Sequence, residues 1–160
     1  MVCNRISPGK ILSHPVHCLA FGFGSGLAPR APGTFGTLAA IPLYLLLAQL
    51  PLEGYAAAVL AGFLVGVYLC GKTASDLGVH DHPGIVWDEF VGFWIAMIAA
   101  PPGWPWLLVG FALFRLFDIW KPWPIRRIDT GVRGGLGIML DDVLAGIYAL
   151  VVIQLAVAVL

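Results

Sequence analysis

Residues 85–119 decide the fold of this chain and read IVWDEFVGFWIAMIAAPPGWPWLLVGFALFRLFDI. The stretch is apolar almost throughout, but Pro101-Pro102-Gly103-Trp104-Pro105 divides it near the middle. Because proline ends a helix and glycine favours turns, the sequence predicts two apolar helices joined by a tight turn. Each helix carries carboxylates at the end away from that turn, Asp88 and Glu89 in the first and Asp118 in the second.

Three further apolar blocks flank this stretch, at about 36–50, 54–71 and 141–160. Together they predict an all-α, polytopic membrane helical bundle of about five short spans, with cytoplasmic-side loops, in a single domain over residues 1–160. Several blocks are shorter than the roughly 20 residues that an upright span needs. We therefore expect a thinned bilayer, or helix ends that rise from membrane level into a polar cap.

Composition supports a membrane protein. The 160 residues are 59% hydrophobic and 11% charged, with mean hydropathy +0.90, whereas soluble domains carry about 25% charged residues. The formal net charge of +0 gives no basic field for nucleic acid.

The odd number of cysteines, Cys3, Cys18 and Cys70, predicts reduced thiols rather than a disulfide framework. Arg5 and Lys10 precede an apolar stretch, but it is rich in glycine and runs into prolines, so we expect no signal peptide.

The basic residues predict the orientation. With five spans, one side of the bilayer holds residues 1–35, 72–84 and 120–140. All nine lysines and arginines fall on that side when Arg115, near a helix end, is counted with it. By the positive-inside rule this side is cytoplasmic.

Eight of the nine carboxylates fall on or near the same side: Asp76, Asp81, Asp88, Glu89, Asp118, Asp129, Asp141 and Asp142. A charged side chain costs about 2.5–3.5 kcal/mol at the centre of a span, and neighbouring carboxylates would also repel one another. A divalent cation removes that repulsion, and oxygen ligands favour Mg²⁺. Helix capping is the alternative. It accounts for either Asp141 or Asp142 at the start of the fifth span, but poorly for Asp118 near a helix C-terminus.

Basic residues accompany these acids. Arg115 and Asp118 are three residues apart, as are Asp118 and Lys121, so each pair is expected to share a helix face. Because Pro122 follows Lys121, the helix should end there. Lys121 is the better candidate for binding phosphate. The loop arginines, Arg126, Arg127 and Arg133, are expected to act in topology and in contacts with anionic lipid.

Glycine-rich segments offer a second type of phosphate contact. Gly22–Gly26 and Pro32-Gly33-Thr34 could present backbone N–H groups to a phosphate. They could equally pack against helices, and Thr34 could cap the first span. The apolar segment 16–29 is interpreted as a re-entrant or interfacial piece beside the site.

Two other patterns are misleading. Residues 66–73 match the P-loop spacing, but they end a hydrophobic helix and follow no strand, so nucleotide binding is not expected. Gly62 and Gly66 instead predict a packing face of small residues. His80-Asp81-His82 lacks a third nitrogen or sulfur ligand for zinc, although Asp81 could assist the acidic cluster.

Four motifs, taken in order, resemble the phosphatidylglycerophosphatase A family over about residues 16–150: GSGL with PGT at residues 24–34, IVWDE at 85–89, FRLFDIWKPWPI at 114–125 and GIMLDDVLAG at 137–146. The resemblance implies a multi-pass enzyme of the bacterial inner membrane with its site facing the cytoplasm. It implies hydrolysis of phosphatidylglycerol phosphate, an anionic phospholipid, to phosphatidylglycerol and inorganic phosphate, with Mg²⁺ as cofactor. The motif carboxylates carry over onto Asp88, Glu89, Asp118, Asp141 and Asp142.

From the motifs and the chemistry together we expect Asp88, Glu89, Asp118 and Asp142 to hold one or two Mg²⁺. Asp141 is the candidate general base. Lys121 and Arg115 are expected to bind substrate and offset charge on the phosphoryl oxygens, with Gly33 and Thr34 also contacting substrate.

Two other classes of protein remain as alternatives. A carboxylate-lined transporter or cation channel would spread its acids through the bilayer depth and over both faces, whereas here they gather on one face. A structural membrane subunit leaves the clustered acids unexplained. The sequence gives no oligomeric state.

Overall fold

A computed structural model describes residues 8–159, and helices are the only regular secondary structure in that range. Cys3 and Arg5 lie outside it, as does the side chain of Lys10. The elements are α1 (Pro8–Ser13), α2 (Pro15–Ala20), a 3-10 segment (Gly22–Leu27), α3 (Pro32–Leu47), α4 (Leu52–Leu77), α5 (Trp87–Ala96), α6 (Trp104–Trp120), α7 (Ile125–Gly131) and α8 (Gly134–Val159). The all-helical prediction is confirmed, and the turn before Trp104 separates α5 from α6 as expected.

The long apolar helices run alternately between two ends of the bundle. Helices α3, α5 and α8 begin at one end, which we call the carboxylate end, and α4 and α6 finish there. At the far end, the hydroxyl of Tyr55 near the start of α4 donates to the carbonyl of Trp94 near the end of α5, at 2.6 Å. Gln154, late in α8, donates to the carbonyl of Ile98 at 3.0 Å. This up-and-down order is the one that the five-block pattern predicted.

Two helices of the described part are long and apolar enough to cross a membrane. They are α4 and α8, each of 26 residues, which contain 18-residue stretches with mean hydropathies of 1.8 and 2.2 respectively. Helix α3 is apolar but shorter. Helix α5 has 10 residues and is therefore about 15 Å long, half the thickness of a hydrocarbon core. A membrane helical fold is supported, and the count of about five spans stays a prediction.

Helix α5 is the centre of the bundle. All ten of its residues are buried, and it packs against α3, α4, α6 and α8. A helix that is apolar on every side is stable only when other elements surround it. Aromatic rings fill the space around it, with Trp87 stacked on Phe90 and edge-on to Trp94. Its first turn, which carries Asp88 and Glu89, is therefore fixed in position by packing.

Glycines on α4 form the predicted packing face. A methyl group added at Gly62 would lie 3.1 Å from the Trp94 ring, and one at Gly66 would lie 2.7 Å from both Trp87 and Met139. The indole N–H of Trp87 also donates to the carbonyl of Gly62, at 3.0 Å. Small residues at these positions let α4 lie close to α5 and α8.

Two helices begin earlier than the sequence suggested. Helix α3 starts at Pro32 with Ala31 as its N-cap and without a side-chain cap, so the interpretation of Thr34 as the cap is wrong. Helix α8 starts at Gly134, which places Asp141 and Asp142 about two turns inside it. Capping therefore explains neither aspartate. The glycine-rich start of α8 is helical because Gly135 packs on the backbone of α4, where an added methyl would lie 1.9 Å from the Val67 carbonyl oxygen.

The glycine-rich segment before α3 packs beside the start of α5. A methyl at Gly22 would lie 2.8 Å from the side chains of both Phe90 and Val86, and one at Gly26 would meet the Gly84 carbonyl oxygen at 2.0 Å. Short helix α2 packs on α4, where a ring nitrogen of His17 lies 3.0 Å from the Thr73 hydroxyl. These contacts favour the packed-loop interpretation of this segment.

Candidate active site

The first turn of α5 supplies two carboxylates. Asp88 and Glu89 follow Trp87, the first residue of the helix, and each is only 9% exposed. The first backbone N–H groups of a helix have no partners within it, and the helix dipole favours negative charge there. Local helix electrostatics thus lower the cost of holding these acids, although neither caps the helix with its side chain.

A close crossing of α5 and α8 brings a third carboxylate to them. A methyl at Gly146 of α8 would lie 2.3 Å from the carbonyl oxygen of Gly92 in α5. Both helices begin at the carboxylate end, and Asp88 and Asp142 each lie one turn before the crossing glycine of their own helix. One oxygen from each of Asp88, Glu89 and Asp142 consequently falls within 4.8 Å of the other two.

These three side chains have capacity left for a ligand. Asp142 is 3% exposed, and one oxygen of each carboxylate is buried without a hydrogen-bond partner: Asp88 Oδ1, Glu89 Oε2 and Asp142 Oδ2. Buried polar atoms are normally paired, and an unpaired carboxylate oxygen is especially costly. Three carboxylates that converge from two helices, each with an unpartnered oxygen, fit a hard divalent cation such as Mg²⁺.

Arg115 on α6 forms one wall of the site. Its Nη1 atom lies 2.5 Å from Asp118 and 3.7 Å from Glu89, and its Nε atom is buried without a hydrogen-bond partner. The predicted shared face of Arg115 and Asp118 is confirmed. Gly33 of α3 lies against the same groups, since a methyl there would lie 2.2 Å from Glu89 Oε1 and 3.1 Å from Arg115 Nη1.

Lys121, which follows the end of α6, brings a second cation to Asp141. Helix α6 ends at Trp120, as the following proline predicted, and Lys121 adopts a left-handed conformation with φ of 46°. Because the helical spacing does not extend to Lys121, the predicted shared face of Asp118 and Lys121 is wrong, and among the described residues no ion pair joins the two. Instead, Nζ donates to Asp129 and Asp141, each at 2.8 Å. Burial alone would lower the pKa of Lys121, but these hydrogen bonds and charges outweigh it and raise the pKa.

The structure thus gathers most of the predicted site residues. Asp118 is an electrostatic neighbour of Glu89 and Asp142 but lies outside the three-carboxylate group and pairs with Arg115. Asp141 is 7% exposed; Lys121 holds its Oδ2, while its Oδ1 has no partner. Thr34 is half-buried in the first turn of α3, next to Gly33.

The P-loop-like pattern, the His80-Asp81-His82 loop and the cysteines have the structural roles that the sequence favoured for them. Residues 66–73 form part of helix α4, so they make no phosphate-binding loop. His82 accepts a hydrogen bond from the backbone N–H of Gly84 at 3.0 Å. Burial lowers the pKa of His82 more than the nearby Asp81 raises it. Asp81 itself is exposed in the loop before α5. Cys18 and Cys70 are free thiols, as expected.

Three residues that shape the site were not predicted from the sequence. Gly92 and Gly146 set the distance between the carboxylate-bearing helices, and Asp129 is the second partner of Lys121. A signal for the glycines was present, because each lies four residues, or about one helical turn, after a carboxylate. Asp129 had no signal of its own, since its role depends on how α7 packs.

Comparison with known proteins identifies relatives over most of the chain. Residues 18–157 match the model of the family described as Phosphatidylglycerophosphatase A. A protein of that name from Escherichia coli is 55% identical over 139 residues, covering 86% of this chain and 81% of the relative. Another, from Haemophilus influenzae, is 54% identical over 144 residues, covering 89% and 88%. A Bacteroides thetaiotaomicron protein, provisionally named a phosphatidylinositol-3-phosphatase, is 43% identical over 143 residues, covering 84% and 89%. No solved structure matches the chain.

The relatives define a phosphatase, and the fold supports a membrane helical protein with nearly all of its described acidic and basic residues at one end of the bundle. The chain belongs to the phosphatidylglycerophosphatase A family.

Proposed function

We propose that this enzyme hydrolyses the terminal phosphate of phosphatidylglycerol phosphate, giving phosphatidylglycerol and inorganic phosphate in phospholipid biosynthesis. The names of the two relatives above 50% identity support this substrate. The observation that carries the proposal is the group of three buried carboxylates, Asp88, Glu89 and Asp142, with Arg115 beside Glu89 and Lys121 bound to the adjacent Asp141. Paired carboxylates and cations of this kind suit transfer of a phosphoryl group.

We further propose that the site works with Mg²⁺. Asp88, Glu89 and Asp142 would hold it through their unpartnered oxygens, with Asp118 positioned next to them as a fourth carboxylate. When bound, the cation would supply positive charge to the phosphoryl oxygens and make water a better nucleophile. Without a cation, these carboxylates would repel one another in a buried site.

The residues of the chain account for the other parts of the reaction. The oxygen of a water molecule forms a bond to the terminal phosphorus, and the bond from phosphorus to the glycerol oxygen breaks. Asp141 Oδ1, which has no hydrogen-bond partner, accepts the proton of the water and returns it to the leaving glycerol oxygen. The free Nε–H of Arg115 and the ammonium of Lys121 stabilise the charge on the phosphoryl oxygens.

We place the enzyme in the bacterial inner membrane with this site facing the cytoplasm. The described basic side chains lie at or near the carboxylate end, which supports this orientation under the positive-inside rule. A lipid substrate carries its phosphate at the membrane surface, so carboxylates at helix ends lie at a suitable depth. The gathering of acids at one end also argues against a transporter or channel.

The test is phosphate release by the purified enzyme in neutral detergent micelles. Phosphatidylglycerol phosphate, phosphatidic acid and phosphatidylinositol 3-phosphate are compared side by side, with Mg²⁺ or with chelator. We expect the highest kcat/KM for phosphatidylglycerol phosphate and loss of activity with chelator. Preference for another lipid would reject the substrate, and activity that survives chelation would reject the metal.

Glu89→Gln and Asp142→Asn test the residues. Each variant should lose about 100-fold in kcat, the usual scale for removing a group that stabilises the transition state. Arg133→Gln, at an exposed loop position outside the site, is the matched control and should keep wild-type activity. Wild-type activity in either carboxylate variant would remove that residue from the site.

A further inference from the structure

A cavity with basic lining residues lies at the end of α6. A cavity of about 560 Å³ is lined by Trp120, Lys121, Pro122, Trp123, Arg126, Arg127 and Thr130. Its lining includes no acidic residue from the described part of the chain. The sequence predicted roles for Arg126 and Arg127 only in topology and in contacts with anionic lipid, and the reaction described above uses neither of them.

Two of its three cations lack counter-ions. Lys121 forms ion pairs with Asp129 and Asp141. By contrast, no carboxylate among residues 8–159 forms an ion pair with Arg126 or Arg127. Arginine binds phosphate through several N–H donors in a planar arrangement. Two unpaired guanidinium groups beside a cavity are therefore available for an external anion.

The cavity is rigidly attached to the bundle. Ile125, at the start of α7, is fully buried, and the hydroxyl of Tyr148 on α8 donates to the Trp123 carbonyl at 2.8 Å. By contrast, the indole rings of Trp120 and Trp123 are exposed, at 67% and 72%. Exposed tryptophans concentrate at the level of lipid headgroups. The cavity thus has the depth at which the headgroup of a membrane lipid lies.

Lys121 connects this cavity with the carboxylate group. Its side chain lines the cavity, while Nζ lies 2.8 Å from Asp141, the neighbour of Asp142 in sequence. The proposed substrate has two phosphates on one glycerol, a terminal monoester and a diester to diacylglycerol. A substrate molecule that contacts both places would hold its monoester at the carboxylates and its diester in the cavity, on the other side of Lys121.

We propose that Arg126 and Arg127 bind the phosphodiester of the substrate and so determine specificity for a two-phosphate headgroup. This inference rests on the proposed function and names the part of the substrate that the carboxylate site does not contact. Bulk anionic lipid carries the same phosphodiester chemistry, so the experiment must separate the two sources.

The experiment uses the full-length enzyme in neutral detergent micelles without other anionic lipid. The double variant Arg126→Gln/Arg127→Gln is compared with wild type and with Arg133→Gln, a loop arginine outside the cavity. Thermal unfolding of each protein verifies the fold. We expect the double variant to raise KM for phosphatidylglycerol phosphate about tenfold, which corresponds to losing about one hydrogen-bonded charge contact, with kcat changed less than twofold.

Two inhibitors show which phosphate of the substrate the two arginines bind. Phosphatidylglycerol has the diester without the monoester, so its inhibition constant should rise about as much as KM. Inorganic phosphate competes for the monoester position, so its inhibition constant should stay unchanged. Unchanged KM in the double variant would overturn the proposal. Activation of the wild type by phosphatidylglycerol that the double variant loses would also overturn it, because the cavity would then bind bulk lipid. Failure of the wild type to release phosphate would instead reject the proposed function.

Discussion

The backbone of Gly146 in α8 lies directly against the carbonyl oxygen of Gly92 in α5, where an added methyl group would be only 2.3 Å from that oxygen. The two helices run in the same direction, and the carboxylates of Asp88 and Asp142 lie one turn before this contact. The separation of the helices at the glycines therefore sets the separation of the carboxylates.

Gly146→Ala tests this relationship. The methyl must push α8 away from α5, and overpacking of this type typically costs 1–3 kcal/mol. We expect a lower melting temperature and a fall in kcat of about 10- to 100-fold, since a shift of about 1 Å at a catalytic group has effects of that size. Gly54→Ala on α4 is the control, because its methyl would have its nearest contact at 3.4 Å. Wild-type kcat in Gly146→Ala would show that the crossing does not position the carboxylates.

Asp142→Asn should stabilise the protein in the absence of metal and reduce its stabilisation by Mg²⁺. In the absence of metal, three buried carboxylates repel one another, and removing one charge relieves that repulsion. We expect the variant in chelator to melt at a higher temperature than the wild type in chelator. Adding Mg²⁺ at about 100 times its Kd should stabilise the wild type by about 2.7 kcal/mol and the variant much less. Equal Mg²⁺ stabilisation of both proteins would contradict a role for Asp142 in binding the cation.

Gly33→Ala should inactivate the enzyme through a single methyl group. That methyl would lie 2.2 Å from Glu89 Oε1 and 3.1 Å from Arg115 Nη1, so these flexible side chains must move while the backbone need not. We expect loss of most of the phosphatase activity with little change in melting temperature. Full activity would mean that the Glu89 carboxylate can shift without consequence. Phosphate release and thermal unfolding, measured on the same preparation, distinguish the two results.

Lys121→Gln should lower kcat by about 10- to 100-fold, because it removes a cation from the phosphoryl group and leaves Asp141 unpaired. Asp129→Asn is the matched control. It weakens the other ion pair of Lys121 and preserves the contact with Asp141, so its effect on kcat should be several times smaller. Because the pKa of Lys121 is raised, Lys121 stays charged well above neutral pH. We therefore expect no loss of activity from its deprotonation up to about pH 9, as measured by a pH–rate profile.

Much of the fold was predictable from local signals. Pro101–Pro105 separated α5 from α6, Pro122 ended α6, and the apolar blocks gave the order of the long helices. The start of α8 was not predictable in this way. Its residues are glycine-rich and have weak helix propensity, and contact with the α4 backbone makes them helical.

The candidate site was predictable in composition but not in geometry. The motifs named Asp88, Glu89 and Asp142, and the structure brings their oxygens together. Helical spacing correctly paired Arg115 with Asp118 but wrongly paired Asp118 with Lys121. The left-handed conformation of Lys121 breaks the helical spacing at that residue, and its ammonium then reaches Asp129 and Asp141.

The sequence by itself determined that this is an apolar helical protein with nearly all its carboxylates and its cations on the same side. Hydropathy, proline positions and charge distribution are local properties, and they are sufficient for that conclusion. The tertiary structure alone decided which carboxylates meet. That choice depends on how closely α5 and α8 approach, and the missing side chains of Gly92 and Gly146 allow the approach. The cavity at the end of α6 likewise depends on the packing of α7 against α8, because α7 carries Arg126 and Arg127, which line the cavity together with Lys121.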